Sequence, residues 1–180
     1  MDIALASGTH PLADGRRVVV RPVAAEDEPA ERRFFARLSP RTRQLRFHHW
    51  ANVVNDGLIR FFTHIDQDRH LAFVSEHEGE IVGEARCVAN PDGASCELGI
   101  VVADDWHHTG IAQLLLGALL DAATAHGYRR MEGLVLRDNV DMLDFVRQFG
   151  FAVQRMPEEA ATVRVVKRLI ARPQEEVVCP

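Results

Sequence analysis

Two rhythms of apolar and polar residues run along the chain. Runs rich in β-branched residues, bounded by proline, glycine or asparagine, read as strands: Arg17–Pro22 (RVVVRP), Leu71–Ser75, Ile81–Val88, Ser95–Val102, Met131–Leu136, Phe151–Gln154 and Thr162–Lys167. A helical rhythm is clearest where Ile111, Leu114, Leu115, Ala118, Leu119, Ala122 and Ala123 recur three and four residues apart, closed by His126-Gly127 with glycine as the cap. Further helices are predicted over Glu26–Leu38, ending near Ser39-Pro40, and over Arg41–Phe47. Another begins with Asp56 as its cap and buries Leu58, Ile59, Phe61, Phe62 and Ile65; a last one starts at Asp138 or Asn139 and ends at Gly150. The order predicts an α/β domain built on a mixed, mostly antiparallel sheet of about seven strands with about four helices on its faces. The unit from Glu97 to Leu136 is expected to be a right-handed parallel crossover. In the Asn90-Pro91-Asp92-Gly93 turn, a three-residue loop would set Asn90 opposite Ala94 and therefore Cys87 opposite Glu97.

The 180 residues suffice for one well-buried domain, expected over residues 17–170, with a flexible N-terminal arm over 1–16 and a polar tail over 171–180. A 47% apolar and 26% charged composition is that of an ordinary globular protein, and a net charge of −5 gives no support to nucleic-acid binding. No apolar run approaches the roughly 20 residues that span a bilayer, so no membrane partner is expected. The first residues lack a basic stretch followed by an apolar core and do not read as a signal peptide. Three cysteines without a CxxC pair argue against a disulfide framework or a zinc site and for a reducing cytoplasm.

The chemistry-bearing stretch is Asp105–Leu116, DWHHTGIAQLLL. A glycine at a strand-to-helix turn lets the backbone approach a ligand, and the first free N–H groups of the helix with its dipole favour an anion. The step is neither a Rossmann fingerprint nor a P-loop. Adjacent histidines at a turn diverge, and His107-His108 has no third partner at metal-ligand spacing, so no metal is expected. His48-His49-Trp50 reads as a packing and loop feature, or as a border of the acceptor groove; Trp106 reads as an anchor for the turn. Asp66, Asp68 and Arg69 read as a capped loop, and Cys87 as a small buried side chain.

The segment ELGIVVADDWHHTGIAQLLLGALLDAATAHGYRRMEGLVLRDNVDMLDFVRQFGF resembles the acetyl-CoA-binding core of the GNAT superfamily of acetyltransferases, and the element order extends the resemblance from Arg17 to Lys167. That family carries Gln/Arg-x-x-Gly-x-Gly/Ala at this turn, then an asparagine starting the next helix, here Asn139, followed by Gly-Phe, here Gly150-Phe151. LSPRTRQLRFHHW, HIDQDRHLAFV, the PDG hairpin before CELGIVV, and VLRDNVDML are similar to the acetyltransferase domain of bacterial protein lysine acetyltransferases. The resemblance implies the GNAT acyl-CoA N-acyltransferase fold, acetyl-CoA as co-substrate, and direct transfer to an amine in a ternary complex. The acceptor it implies is a protein lysine, with a small-molecule amine as the alternative. By the same match Ile100 and Val102 would offer backbone groups to the pantetheine arm. His107, His108, Thr109, Gly110, Ile111 and Ala112 would cradle the pyrophosphate, and Asn139 would line the CoA arm.

Glu97, at the start of the strand leading into the turn, matches the subgroup's catalytic glutamate and is the expected general base. Two positions depart from the family. His107 stands where Gln or Arg is usual, which would weaken CoA binding. Val146 stands where many members carry a tyrosine acid, so the proton for the leaving thiolate would come from water or another group. These departures also admit a second class of function, a non-catalytic acyl-CoA sensor. A homodimer is the default assembly.

Overall fold

Every strand and helix expected from periodicity forms, and in the expected order, in a computed structural model of the chain that describes residues 7–47 and 54–170. The strands are β1 (Gly8–Pro11), β2 (Arg17–Pro22), β3 (His70–His77), β4 (Glu80–Ala89), β5 (Ser95–Val102), β6 (Arg130–Leu136), β7 (Ala152–Arg155) and β8 (Thr162–Arg168). The helices are α1 (Glu28–Arg37), α2 (Pro40–Phe47), α3 (Asp56–Thr63), α4 (Ile111–Ala125) and α5 (Val140–Gln148). Single 3-10 turns at Ala25–Asp27 and Asp104–Trp106 lead into α1 and toward α4.

All eight strands form one sheet in the order β1-β2-β3-β4-β5-β6-β8-β7. Neighbours are antiparallel except β5 and β6, which run parallel across the α4 crossover. The expected mixed, mostly antiparallel architecture is thus present, with one strand and one helix more than the approximate counts. The additional strand lies in the stretch expected to be a loose arm: Gly8–Pro11 pairs with β2, Gly8 opposite Val20. Gly-Thr-His-Pro has no apolar alternation, so nothing in its pattern announces an edge strand. His48, His49 and Trp50, the expected tail and Cys179 lie outside the described residues.

The two faces of the sheet are filled differently. Ile111, Leu115, Leu116, Leu119 and Ala123 of α4 are buried on one face. A β-carbon at Gly83 would stand 3.0 Å from both Ile111 and Leu115, so α4 lies directly on the β4 backbone. On the other face α1, α2 and α3 enclose an aromatic cluster in which Phe35 touches both Phe47 and Phe62, ring centroids 5.5 and 5.4 Å away. The cap of α3 is Asn55, whose Oδ1 accepts from the Leu58 N–H at 2.9 Å, and not Asp56, which begins the helix and pairs with Arg32 at 2.6 Å. Among the described residues no helix is long and apolar enough to cross a membrane.

The β4–β5 hairpin differs from its expected register. Cys87 faces Leu98, and Glu97 faces Val88. The Asp92 carboxylate accepts from the N–H of Ala94 and of Ser95 and from the Ser95 hydroxyl. This draws Ala94 into the turn, so the loop holds four residues and closes with the Asn90 N–H donating to Ser95 O at 2.9 Å. A one-residue change flips facing relations. Glu97 therefore shares the α1–α3 face with Gly99, while Cys87 and Cys96 are fully buried on the α4 side.

Candidate active site

β5 and β6 pair only through Ser95, Cys96 and Glu97 opposite Arg130, Met131 and Glu132. Beyond these rows β5 stays with β4, Val102 opposite Gly83, while β6 stays with β8, Leu136 opposite Thr162. The two strands part, and the opening is a cavity of about 290 Å³ bounded by β5, β6, α2, the start of α4 and the start of α5. The Ala103 N–H donates to Val82 O, on the β4 side. Backbone groups alternate along a strand, so the N–H groups of Ile100 and Val102 face away from β4, toward the opening. At its narrow end the Leu98 carbonyl would lie 3.2 Å from a β-carbon at Gly133, a separation that glycine keeps open.

The wall at the start of α4 is built by backbone conformation. Gly110 caps the helix at φ +99° and contributes no side chain, and His108 just before it also has a positive φ of 61°. The first intrahelical bond closes from Leu114 N to Gly110 O at 3.2 Å, which leaves the N–H groups of Ile111, Ala112 and Gln113 without acceptors in the helix. The arrangement presents a cluster of donors at the positive end of a fifteen-residue helix, a site for an anion. Trp106 fixes the turn from beneath, as expected of an anchor: it is buried, the Arg16 guanidinium lies 3.6 Å from its ring centroid, and His77 packs at 4.9 Å. The Thr109 hydroxyl donates to Trp106 O at 2.7 Å. His107 Nε2 lies 3.0 Å from Val102 O; a carbonyl only accepts, so Nε2 carries the hydrogen. The His107 and His108 rings stand 6.3 Å apart and nearly perpendicular, at 84°. His107 therefore braces the turn against β5.

Asp104 ties this turn to α2. Its carboxylate accepts from the Ser39 N–H, the Ser39 hydroxyl and the Thr42 hydroxyl at 2.9, 2.7 and 2.6 Å. Burial alone would raise this carboxyl, and the hydrogen bonds from Thr42 and Ser39 outweigh it and hold it below the usual value. One turn further along α2, the Arg46 guanidinium crosses the sheet at Gly99, where a β-carbon would come within 2.5 Å of its Nη2. Burial pulls the Arg46 pKa down, opposed by the nearby charge of Glu84.

Behind Arg46 lies a buried charged cluster. Glu31 and Glu84 are fully buried and Arg86 nearly so. Arg86 forms a bidentate pair with Glu84, donates to Phe62 O at 3.1 Å, and meets His70 Nε2 at 3.1 Å. Arg86 can only donate, so His70 Nε2 accepts and the ring is neutral; burial, then the Arg86 charge, pushes its pKa down to about 4. Burial would raise Glu84, and the guanidiniums of Arg86 and Arg46 outweigh it and hold it low. Glu31 is 3.7 Å from Arg86, and neither carboxyl oxygen has a hydrogen-bond partner among the described residues. Burial, with the Glu84 charge beside it, pushes the Glu31 carboxyl well above its ordinary value. The two carboxyls of the cluster are thus pushed in opposite directions, Glu31 up and Glu84 down.

Of the residues singled out in the sequence, Ile100, Val102, His107, His108, Gly110, Ile111, Ala112 and Asn139 all border the one cavity. Thr109 sits in the same turn, outside the lining, with its hydroxyl turned to Trp106. Asn139 caps α5, its Oδ1 accepting from the Met142 N–H at 3.3 Å. Glu97 is exposed and is not part of the lining; it stands on the α1–α3 face beside Glu132 on β6. Val146 is fully buried. Tyr128 donates to Asp68 O at 3.2 Å, burial pushes its pKa up to about 12, and it does not border the cavity. Asp66 accepts from the N–H groups of Asp68, Arg69 and His70, a capped loop as expected. Arg46, Gly99 and the Glu31–Glu84–Arg86 cluster were not anticipated. Their signal was Glu84 and Arg86, two charged residues two apart inside the Ile81–Val88 run read as a strand.

The chain matches the family model described as the acetyltransferase (GNAT) family over residues 26–151. It is 35% identical over 156 residues, 84% of each chain, to an acetyltransferase of Pseudomonas aeruginosa. Among solved structures it is similar to the GNAT domain of S. lividans PAT, with a TM-score of 0.84 at 24% identity, covering 92% of this chain and 98% of that one. It is also similar in fold to yncA, a putative acetyltransferase from Salmonella typhimurium with its cofactor acetyl-CoA, with a TM-score of 0.70 at 18% identity, covering 89% and 98%.

Proposed function

Because the chain belongs to the acetyltransferase (GNAT) family and is an acetyl-CoA-dependent acetyltransferase, we propose that its acceptor is a protein lysine and that Glu97 is the general base. The observation that carries this reading is the parting of β5 from β6 beside two carboxylates, Glu97 and Glu132, in one row. The opening suits the pantetheine arm, with Ile100 and Val102 supplying backbone hydrogen bonds and Asn139 beside them. The donors at the start of α4, from His107 to Ala112, suit the pyrophosphate. The carboxylates attract an ammonium group to the mouth of the opening. A cytoplasmic setting fits Cys87 and Cys96, which are free thiols.

The chemistry then runs in a ternary complex. The lysine ammonium gives a proton to Glu97, through a water since Glu97 stands outside the cavity lining. The neutral amine attacks the thioester carbonyl and forms the new C–N bond. Backbone N–H groups on the open edge of β5 bear the charge that develops on the carbonyl oxygen. The C–S bond breaks, and CoA leaves as a thiolate. With Val146 buried at the usual acid position, water carries the second proton from the nitrogen to the sulfur. Glu97→Gln is expected to lower turnover about 100-fold or more while leaving acetyl-CoA binding intact. Titration calorimetry and a thiol-release assay measure the two quantities, and unchanged turnover would remove Glu97 from the role. Incubation with labelled acetyl-CoA and a cell lysate, followed by mass spectrometry, tests the acceptor: label confined to small amines would overturn the lysine assignment.

A further inference from the structure

Arg46 is placed where an acetyltransferase for a simple amine has no use for a cation. It borders the cavity, crosses β5 at Gly99, and carries its charge next to the position where an ammonium acceptor must approach. Among the described residues it makes no hydrogen bond. Its ion partner is Glu84 at 3.6 Å, beyond hydrogen-bond length, and its Nε is buried without an acceptor. Glu84 is already engaged by Arg86. A guanidinium has five N–H donors, and leaving the buried Nε–H of Arg46 unmet is unfavourable. The deficit is for an acceptor group, and a carboxylate matches the planar fork.

Glu97 lies on the same face of β5, two residues from Gly99, and its charge is felt at Arg46. Side chains two apart on a strand are separated by about 6.8 Å. A positive and a negative group so placed on one face can grip a molecule that brings an ammonium and a carboxylate close together, the carboxylate on the guanidinium fork and the ammonium reaching Glu97 through a water. We propose that Arg46 and Glu97 form a two-point acceptor subsite, selecting an amine with a carboxylate close to it. The proposal rests on the assignment of Glu97 to the acceptor amine. The carboxylate has two sources: an acidic residue next to the target lysine of a protein, or the carboxyl group of a free amino acid.

The experiment uses the intact chain with acetyl-CoA and two matched pairs of acceptors. One pair is a lysyl peptide with aspartate beside the lysine and the same peptide with asparagine. The other is leucine and leucinamide, with rates compared per unit of unprotonated amine. A carboxylate is expected to raise kcat/KM about tenfold or more within at least one pair, and the pair that responds identifies the source. In Arg46→Gln the ratio within that pair is expected to fall to near one, and Arg46→Lys, which keeps the charge and loses the fork, should restore part of it. A merely structural role for Arg46 would change both members of a pair alike and leave the ratio standing. Turnover of these amines without a carboxylate preference in the wild-type chain overturns the subsite and leaves the acetyltransferase mechanism in place. An Arg46→Gln protein that keeps the preference overturns it too. Absence of turnover on all four acceptors overturns the amine mechanism and the subsite together. If Arg46→Gln does not fold, the wild-type ratios decide the question.

Discussion

The Arg46 guanidinium and the Gly99 backbone are in such close contact that no side chain fits between them: a β-carbon at residue 99 would lie 2.5 Å from Nη2. Gly99 is thus the seat of Arg46, the one Arg or Lys that borders the cavity among the described residues. Gly83, on the neighbouring strand, is also tight, though less so, on the opposite face, against Ile111 and Leu115 at 3.0 Å. The two glycines should respond differently. Gly83→Ala presses on packed core and is expected to destabilise by about 1–3 kcal/mol in urea unfolding. Gly99→Ala presses on a side chain that can swing away, so it should destabilise less and lower kcat/KM more. Equal losses of stability and activity in the two variants would contradict this division.

Gly110 has open space around its missing side chain, so a substitution there meets only the backbone term. At φ +99° an L-residue is strained by about 1–2 kcal/mol. Gly110→Ala should lower stability by that amount in chemical denaturation and weaken acetyl-CoA binding in calorimetry, because relief of the strain turns the α4 donors away from a common point.

Asp104→Ala removes the acceptor of three hydrogen bonds from Ser39 and Thr42. A loss of about 2 kcal/mol is expected, since hydrogen bonds to charged groups each contribute about 1.5–3 kcal/mol when intact and this site is partly solvated. The effect should extend to the acceptor KM, as α2 carries Arg46.

The buried cluster imposes a pH dependence of two signs. Glu31 has a raised folded-state pKa. Its contribution is therefore full below its ordinary value of 4.5 and is lost as pH rises through the folded value. His70 is depressed from 6.5 to about 4, so its contribution is full above 6.5 and is lost as pH falls toward 4. Glu31→Gln should flatten the decline as pH rises above 4.5 in a series of thermal melts, and His70→Gln the decline as pH falls toward 4. Glu84→Gln removes the carboxylate that both the Arg86 and Arg46 guanidiniums face in the interior and should destabilise by about 3–5 kcal/mol.

Reading order and periodicity from the sequence worked where burial repeats regularly. α4 and β5 were found with their bounds nearly in place because each buries one face of a long element. The turn at Gly110 was legible because glycine at a strand-to-helix junction has a short list of physical reasons. The β4–β5 register was not, because it depended on whether one carboxylate, Asp92, would collect the Ala94 and Ser95 N–H groups. Arg46 stayed hidden for a similar reason. A basic residue on an otherwise charged helix such as PRTRQLRF reads as solvated until the strand beneath it is known to offer a glycine. Pairs such as Glu31 and Glu84, 53 positions apart by their numbering, meet only in three dimensions.

The short pairing of β5 with β6 gives the sheet a joint. Three rows of residues, at Ser95, Cys96 and Glu97, connect a five-stranded leaf to a three-stranded one, and from there the leaves separate like the covers of a book held at one corner of the spine. A ligand lodged in the opening touches both covers, from Leu98 and Gly133 beside the joint to Val102 and Val135 farther out, where a given force has more leverage on their angle. Acetyl-CoA would then act as a brace as well as a reactant, setting the distance between Gly99 on one leaf and Leu134 on the other. Glu97, the proposed base, sits on the joint itself, where the angle between the leaves changes its position least.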